Sequence, residues 1–298
     1  MHIIDLVGNT PLVELTKIAA KGSARIFAKA EFLNPSGSIK DRAVKAMIED
    51  GIAKGVLTKD KTIIDATSGN SGISYAMIGA NLGYKVKIFL PANASKERKN
   101  AIRFYGAEII QTDPLEGSDG AFLAVQAEVA ANPEVYFYPD QYHNPANFLA
   151  HYHGTAEEIW RQTNGAVTHF VSVMGTTGTF TGTAKRLKER NNRVKAFSVQ
   201  PDSPFHGIEG TKHLTSTLGS SFFDATLVDQ YLPVSTDNAY KTARRLAKEE
   251  GLFVGVSAGA NVYAAVHLAA SLSPDEQVIT TLPDGGLRYI SDSFWDEQ

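Results

Sequence analysis

Short apolar runs alternate with longer amphipathic stretches almost from one end of the chain to the other. Runs rich in Val, Ile, Phe and Tyr at 25–33, 62–66, 85–91, 108–112, 135–140, 168–175, 194–201, 253–257 and 277–284 predict strands. Between them, 71–82, 95–105, 119–132, 146–163 and 238–250 have helical length. Strand, helix and strand in series predict parallel sheets with crossover helices on both faces, an α/β class. Several runs, such as QVITTL, are apolar or neutral throughout rather than alternating, as expected of strands covered on both sides. The least regular stretch, 202–226, is rich in Ser, Thr, Gly and His. It is too long for an ordinary connection, and loops of that length are usually functional.

At 298 residues the chain has room for two domains or one large α/β unit. It contains 0 Cys, which excludes disulfides, thiolate metal sites and a cysteine nucleophile. With 29 Lys and Arg against 32 Asp and Glu, the net charge of −3 offers no basic footprint for nucleic acid or an anionic membrane. The opening MHIIDLVGNTPLVEL has neither a basic start nor an apolar core of a leader peptide, and no run approaches membrane-spanning length. The expectation is a soluble, cytoplasmic protein with small molecules or other protein chains as partners.

Four Gly-bearing loops stand before helices, where open α/β sheets place their ligands. In the first, Pro35-Ser36-Gly37-Ser38-Ile39-Lys40-Asp41-Arg42, the pair Ser38 and Asp41 predicts a capping box. Lys40 then falls in the first helical turn, where the macrodipole disfavours a protonated amine. The residues leave two readings open: a solvated lysine in a poor position, or an amine kept neutral and nucleophilic. The second loop, Thr67-Ser68-Gly69-Asn70-Ser71-Gly72, brings hydroxyls and backbone N–H groups to a helix start, which suits a carboxylate or phosphate. The third, Gly175-Thr176-Thr177-Gly178-Thr179, reads as a phosphate cup built without a side-chain cation. No two of the 25 glycines lie two positions apart, so GxGxxG is excluded, and GxxxxGK[ST] is absent as well. The fourth, Gly255-Val256-Ser257-Ala258-Gly259, matches the nucleophile elbow of serine hydrolases. That elbow needs an acid and then a His downstream, yet the one later His, His267, lies in the elbow's own helix, which disfavours a hydrolase. His143, His151 and His153 come close in sequence, but two-residue spacing does not share a helical face, and structural roles are favoured over a metal.

Taken together the loops resemble the cysteine synthase (O-acetylserine sulfhydrylase) family of fold-type II pyridoxal-phosphate enzymes, B-type in flavour. The resemblance runs through LVGNTPLVEL at 6–15, NPSGSIKDRA at 34–43, TSGNSGIS at 67–74, DQYHNPANF at 140–148, GTTGTFTG at 175–182, EEGLFVGVSAGA at 249–260 and LPDGGLRYIS at 282–291. It implies two three-layer αβα domains with mostly parallel sheets. A smaller mobile domain would span 35–145, and a larger one would combine 1–34 with 146–298. It implies that Lys40 bonds covalently to pyridoxal 5'-phosphate and later moves the substrate's Cα proton. Gly175, Thr176, Thr177, Gly178 and Thr179 would hold the phosphate, Asn70 the ring hydroxyl, and Ser257 the pyridine nitrogen. A neutral hydroxyl there cannot stabilise a pyridinium as Asp would, which favours β-elimination over transamination. Thr67, Ser68, Gly69, Ser71, Gln141 and Gly207 would bind the substrate.

The implied reaction is β-replacement of O-acetyl-L-serine by sulfide, through an aminoacrylate, to L-cysteine and acetate. O-phosphoserine stays open as donor because Lys212 and His213 stand in the 206–213 loop. B-type relatives often accept bulkier sulfur donors such as thiosulfate. A cystathionine β-synthase-like enzyme is the rival within the class. The resemblance also points to a homodimer and leaves a serine acetyltransferase as a candidate partner.

Overall fold

The computed structural model describes residues 1–213 and 220–296. Its strands form two sheets. The first is entirely parallel, in the order β5-β4-β3-β6, from β3 (Thr62–Ala66), β4 (Lys85–Pro91), β5 (Glu108–Thr112) and β6 (Tyr136–Phe137). The second runs β1-β2-β10-β7-β8-β9, from β1 (Leu12–Glu14), β2 (Arg25–Ala30), β7 (His169–Val173), β8 (Lys195–Pro201), β9 (Gln230–Val234) and β10 (Gln277–Leu282). Only β1 lies antiparallel to its neighbour.

Helices cover both faces of each sheet. On the smaller sheet, α1 (Lys40–Ala53), α2 (Asn70–Leu82) and α3 (Lys96–Phe104) pack Val44, Met47, Ile78 and Ile102 against Ile63, Val86 and Ile88. On its opposite face α4 (Gly117–Ala131) contributes Ala121, Phe122 and Val125. The larger sheet lies between α6 (Ala156–Gln162) and α7 (Gly178–Arg190) on one side and α8 (Thr236–Arg245) and α9 (Val256–Ala269) on the other, and α5 (Ala146–Ala150) packs against α1 and α7. The architecture is therefore two three-layer αβα sandwiches. Burial is nearly continuous along β3 and β10, so hydrophobic residues occupy both faces of the sheet instead of every second position.

Some predicted elements differ. Residues 253–257 form no strand; Val254 makes one bridge to Gly285, and Val256 opens α9. The run predicted at 135–140 shrinks to Tyr136–Phe137. β1 is too short for its pattern to register, and Pro233 in β9 argues against a strand except at a sheet edge, which is where β9 lies. The single helix expected over 146–163 holds a π-helical turn, His151–Thr155, between α5 and α6. Such turns occur frequently at functional sites. Among the described residues no helix is long and apolar enough to cross a membrane.

Candidate active site

The carboxyl ends of β3, β7 and β10 face one cavity between the sheets. It is lined by Lys40, by Thr67, Ser68, Asn70 and Ser71 after β3, by Gly175–Thr179 after β7, by Pro283 after β10, and by Gln141 and Ser257. Side chains scattered over more than 200 positions of sequence thus meet in one place. Chain direction explains why: in parallel sheets every strand-to-helix turn emerges at the same edge.

Lys40 opens α1, as the spacing predicts, but the expected capping box does not form. The Ser38 hydroxyl accepts from Lys40 N at 3.3 Å, while Asp41 accepts from Ser36 N at 2.7 Å and from the hydroxyls of Ser36 and Ser74. The carboxylate is thus used to tie the preceding loop and α2 together. Lys40 is half-buried and lines the cavity. Burial pulls its pKa below the ordinary lysine value, and the neighbouring Asp284 carboxylate counters only part of that. The amine is thereby moved toward its neutral, nucleophilic form, chiefly by burial.

Asn70 is oriented on both sides. Its Nδ2 donates to Asp284 Oδ2 at 2.6 Å, and its Oδ1 accepts from Arg288 Nη1. With the carbonyl end taken, one N–H of the amide is left for the cavity. Arg288 also donates to Ser36 O, and Tyr289 Oη donates to Asp284 Oδ2 at 2.6 Å. Neither Asp284 nor Arg288 was distinguishable in the sequence beyond the stretch LPDGGLRYIS. Gln141 donates to Ala66 O at 2.7 Å and accepts from Ser71 Oγ at 2.9 Å, which fixes the rim of the Thr67–Ser71 loop.

The Gly175–Thr179 turn has the form of an anion cup. Thr177 is held at φ 65°, a left-handed conformation that costs energy for a branched side chain. Its hydroxyl is buried with no partner among the described residues. Gly178 lies so close to Asn147 that a Cβ would fall 2.1 Å from Oδ1, and one at Gly175 would fall 2.4 Å from Gly210 O. Strain, an orphaned hydroxyl and glycines that admit no side chain converge at the start of α7, where N–H groups and the dipole favour an anion. His151 backs the cup, with Nε2 3.3 Å from Thr179 Oγ1 and Nδ1 2.9 Å from Thr155 Oγ1. Burial and Arg42 press its pKa down to about 3, so the imidazole is neutral. It is a satisfied core histidine, while His143 pairs with Asp140 and His153 stacks edge-on against Tyr152. Among the described residues no group of three His, Asp or Glu side chains is placed to hold a metal.

Ser257 stands in the first turn of α9, on the cavity wall. The glycines of its motif serve packing: a Cβ at Gly259 would meet Ala239 O at 2.1 Å, and one at Gly255 would meet Asp284 Oδ1 at 2.1 Å. His267 Nδ1 bonds Tyr263 O at 2.8 Å, a turn back along α9, so it does not serve Ser257 as a base. Two of the residues expected at the substrate do not line the cavity. Gly69 supports the loop from behind, at φ 145°, and Gly207 packs under Tyr240. Glu209, Gly210, Thr211 and Lys212 reach the cavity from that loop instead, and Ser118, Tyr142, Ser172 and Thr281 complete the wall.

A cofactor with a phosphate at one end and an aldehyde for an amine at the other fits this set, with the cup and Lys40 on one cavity. The family model for pyridoxal-phosphate dependent enzymes matches residues 3–284. The chain is 46% identical over 302 residues to a cysteine synthase of Aquifex aeolicus, covering 99% of this chain and 92% of that one. It is 40% identical to cysteine synthase B of Escherichia coli over 98% of this chain and 95% of that one. The crystal structure of a cysteine synthase from Entamoeba histolytica superposes with a TM-score of 0.93 at 34% identity, over 99% of this chain and 90% of that one. Motif order, cavity chemistry and these likenesses agree, and the chain belongs to the pyridoxal-phosphate dependent enzyme family.

Proposed function

We propose that the chain is a cysteine synthase that replaces the β-acetoxy group of O-acetyl-L-serine with sulfide, breaking the Cβ–O bond and giving L-cysteine and acetate. The observation that carries this reading is the meeting, in one cavity, of a lysine pushed toward neutrality and a strained cup with an orphaned hydroxyl. Bound pyridoxal phosphate supplies an electron sink that makes an amino acid's Cα proton removable and its β-substituent a leaving group.

The residue roles follow from what each side chain offers. Lys40 forms the covalent link to the cofactor and, once displaced, takes and returns the Cα proton, work that a neutral amine can do. Gly175–Thr179 bind the phosphate, the free N–H of Asn70 meets the ring hydroxyl, and Ser257 gives the ring nitrogen a neutral partner. Thr67, Ser68 and Ser71 with Gln141 bind the substrate carboxylate, and closing around it excludes water. The division into a mobile unit at 35–145 and a larger one at 1–34 with 146–298 is supported by strand pairing. β3 to β6 pair only among themselves, and the remaining strands form the other sheet. We further read the enzyme as a cytoplasmic homodimer, with a serine acetyltransferase as candidate partner.

One observation favours a second donor. Lys212, 7% exposed, lines the cavity, and a phosphate ester of serine would welcome a cation there. Its Nζ, however, lies 2.9 Å from Asp119 Oδ1 and 4.5 Å from the Tyr142 ring, so much of that charge is already compensated. This supports the uncharged acetyl ester as the donor.

Visible absorption of the purified protein tests the proposal. A yellow band that shifts with O-acetylserine and returns on adding sulfide is the expected result. A shift with O-phosphoserine alone would move the donor, and a protein that stays colourless with pyridoxal phosphate would refute the reading.

A further inference from the structure

Arg98 is an unexpected residue to find buried. It lies in the highly charged helix α3, KERKNAIRF, yet only 3% of it is exposed. Its guanidinium lies 4.6 Å from the centre of the Tyr289 ring. Nη1 donates to Ser68 O at 3.3 Å and to Glu209 Oε2. Nε has no partner among the described residues. The side chain passes so close beneath Gly69 that a Cβ there would lie 2.3 Å from Arg98 Cδ.

These contacts join two walls of the cavity. Ser68 belongs to the loop after β3, whereas Glu209 belongs to the segment after β8. That segment is itself tied to the phosphate cup: Lys212 N donates to Met174 O at 2.8 Å, and Gly210 O abuts Gly175. A buried guanidinium therefore connects the loop offered to a carboxylate with the segment that edges the anion cup.

The peptide plane gives the connection its chemical content. The Ser68 carbonyl and the Gly69 N–H belong to one planar, trans unit and point in opposite directions. Holding the carbonyl toward Arg98 sends the Gly69 N–H to Thr67 Oγ1, 2.9 Å away. The Thr67 hydroxyl, having accepted that bond, keeps its own proton to donate. A Ser68 carbonyl turned the other way would present an oxygen to an approaching carboxylate and repel it.

We propose that Arg98 is a positioning residue for recognition of the amino acid's carboxylate, and that Glu209 sets it, so that shaping the Thr67–Ser71 loop and drawing the 206–212 segment over the cavity are one event. Glu209 is 43% exposed at its side chain, and an ion pair between two exposed groups would contribute little. Here the cation is buried, and removing its carboxylate leaves an uncompensated charge that must move. The Ser68 carbonyl moves with it. The inference rests on the proposed role of the Thr67–Ser71 loop in binding carboxylate.

The test uses the cofactor-loaded enzyme and the variants Arg98→Met and Glu209→Ala, made singly and together. Titration with O-acetylserine, followed by visible absorption, reads donor affinity; turnover with sulfide and the thermal midpoint are measured alongside. Each single variant is expected to weaken donor affinity about tenfold, a typical coupling between linked elements. The double variant should be no worse than Arg98→Met alone, with the KM for sulfide and cofactor loading unchanged. Pyruvate released from the donor without sulfide should rise in all three. Unchanged donor affinity in Glu209→Ala, a double loss equal to the product of the singles, or a loss accompanied by falling cofactor content would overturn the proposal. Should Arg98→Met fail to fold, Glu209→Ala still decides, because its side chain is on the surface of a loop. Ser68→Ala separates the two readings: wild-type donor affinity in that variant sinks the carboxylate role of the loop itself, whatever Glu209→Ala shows.

Discussion

Two residues of α1, one half-turn apart, show opposite ways of burying a positive group. Arg42 is 5% exposed and fully engaged, donating to Glu31 Oε1 and Oε2 and to Glu158 Oε1 and Oε2 at 2.7–2.8 Å. Lys29 Nζ joins the network, 2.6 Å from Glu158 Oε2 and 2.8 Å from Thr10 Oγ1. Two cations and two carboxylates cancel, and each carboxylate keeps its charge: Glu158 is pulled down to about 2 by Arg42 and Lys29, against the opposing effect of burial. Lys40 has no such partnership; its environment disfavours the charge and leaves the amine facing a cavity. Where polar groups are satisfied, the fold gains a unique arrangement; where they are left wanting, it keeps a site for chemistry. The π turn at His151–Thr155 links the two, since His151 bonds Thr179 of the cup from a position beside Arg42.

The sharpest way to break this contrast is at its two poles. Lys40→Ala is expected to lower turnover by at least about 10³-fold, the scale of a lost base and nucleophile, while the thermal midpoint holds or rises. Wild-type turnover in that variant would end the assignment. Arg42→Ala should do the reverse, costing about 3–5 kcal/mol in denaturant unfolding because Glu31 and Glu158 are left buried without their cation. A loss under 1 kcal/mol would show that the network is not what holds α1 in place.

A pH profile sharpens the comparison further. Glu158 has a folded pKa depressed to about 2 from 4.5, so its contribution is present above about 4.5 and is lost as pH falls toward 2. Asp65, beneath the Thr67 loop, is raised by burial to about 7 from 3.8, although Tyr75 Oη donates to it at 2.6 Å. Its neutral form is favoured by the fold, so its contribution is complete below about 3.8 and lost as pH rises through 7. Unfolding free energies measured from pH 3 to 8 should therefore flatten between 4 and 7 in Asp65→Asn, and an unaltered slope would refute the buried-carboxyl account. The smallest expected effect is at Thr177. Removing its orphaned hydroxyl in Thr177→Ala should leave the cofactor-free protein as stable or about 1 kcal/mol more so, while weakening cofactor binding. Loss of stability without loss of affinity would mean the hydroxyl serves the fold.

The sequence was informative where local rules hold. β3, β4 and β5 fall on the predicted residues, because each holds a short core of β-branched or aromatic residues bounded by loops. The four Gly loops were legible because hydroxyls, glycines and helix starts coincide in a few positions. It was misleading where a local pattern had two uses. Ser38 and Asp41 have capping-box spacing, but tertiary contacts to Ser36 and Ser74 claim the carboxylate. FVGVS has strand composition, but Gly255 N bonds Asp284 O and the chain turns into α9. Arg98, Asp284 and Arg288 carried no signal, since nothing in KERKNAIRF or DGGLRY tells which charged side chain points inward.

By itself, then, the order of residues determined the alternation of strands and helices, the loops that can receive an anion or a carboxylate, and the absence of thiol chemistry. Those are properties of neighbours a few positions apart. The tertiary structure alone decided that burial works against the charge of Lys40 while carboxylates support that of Arg42, that Asn70 is clamped between Asp284 and Arg288, and that Arg98 reaches Glu209. Each depends on which distant groups share a low-dielectric interior, and electrostatic cost is set by that company rather than by residue type.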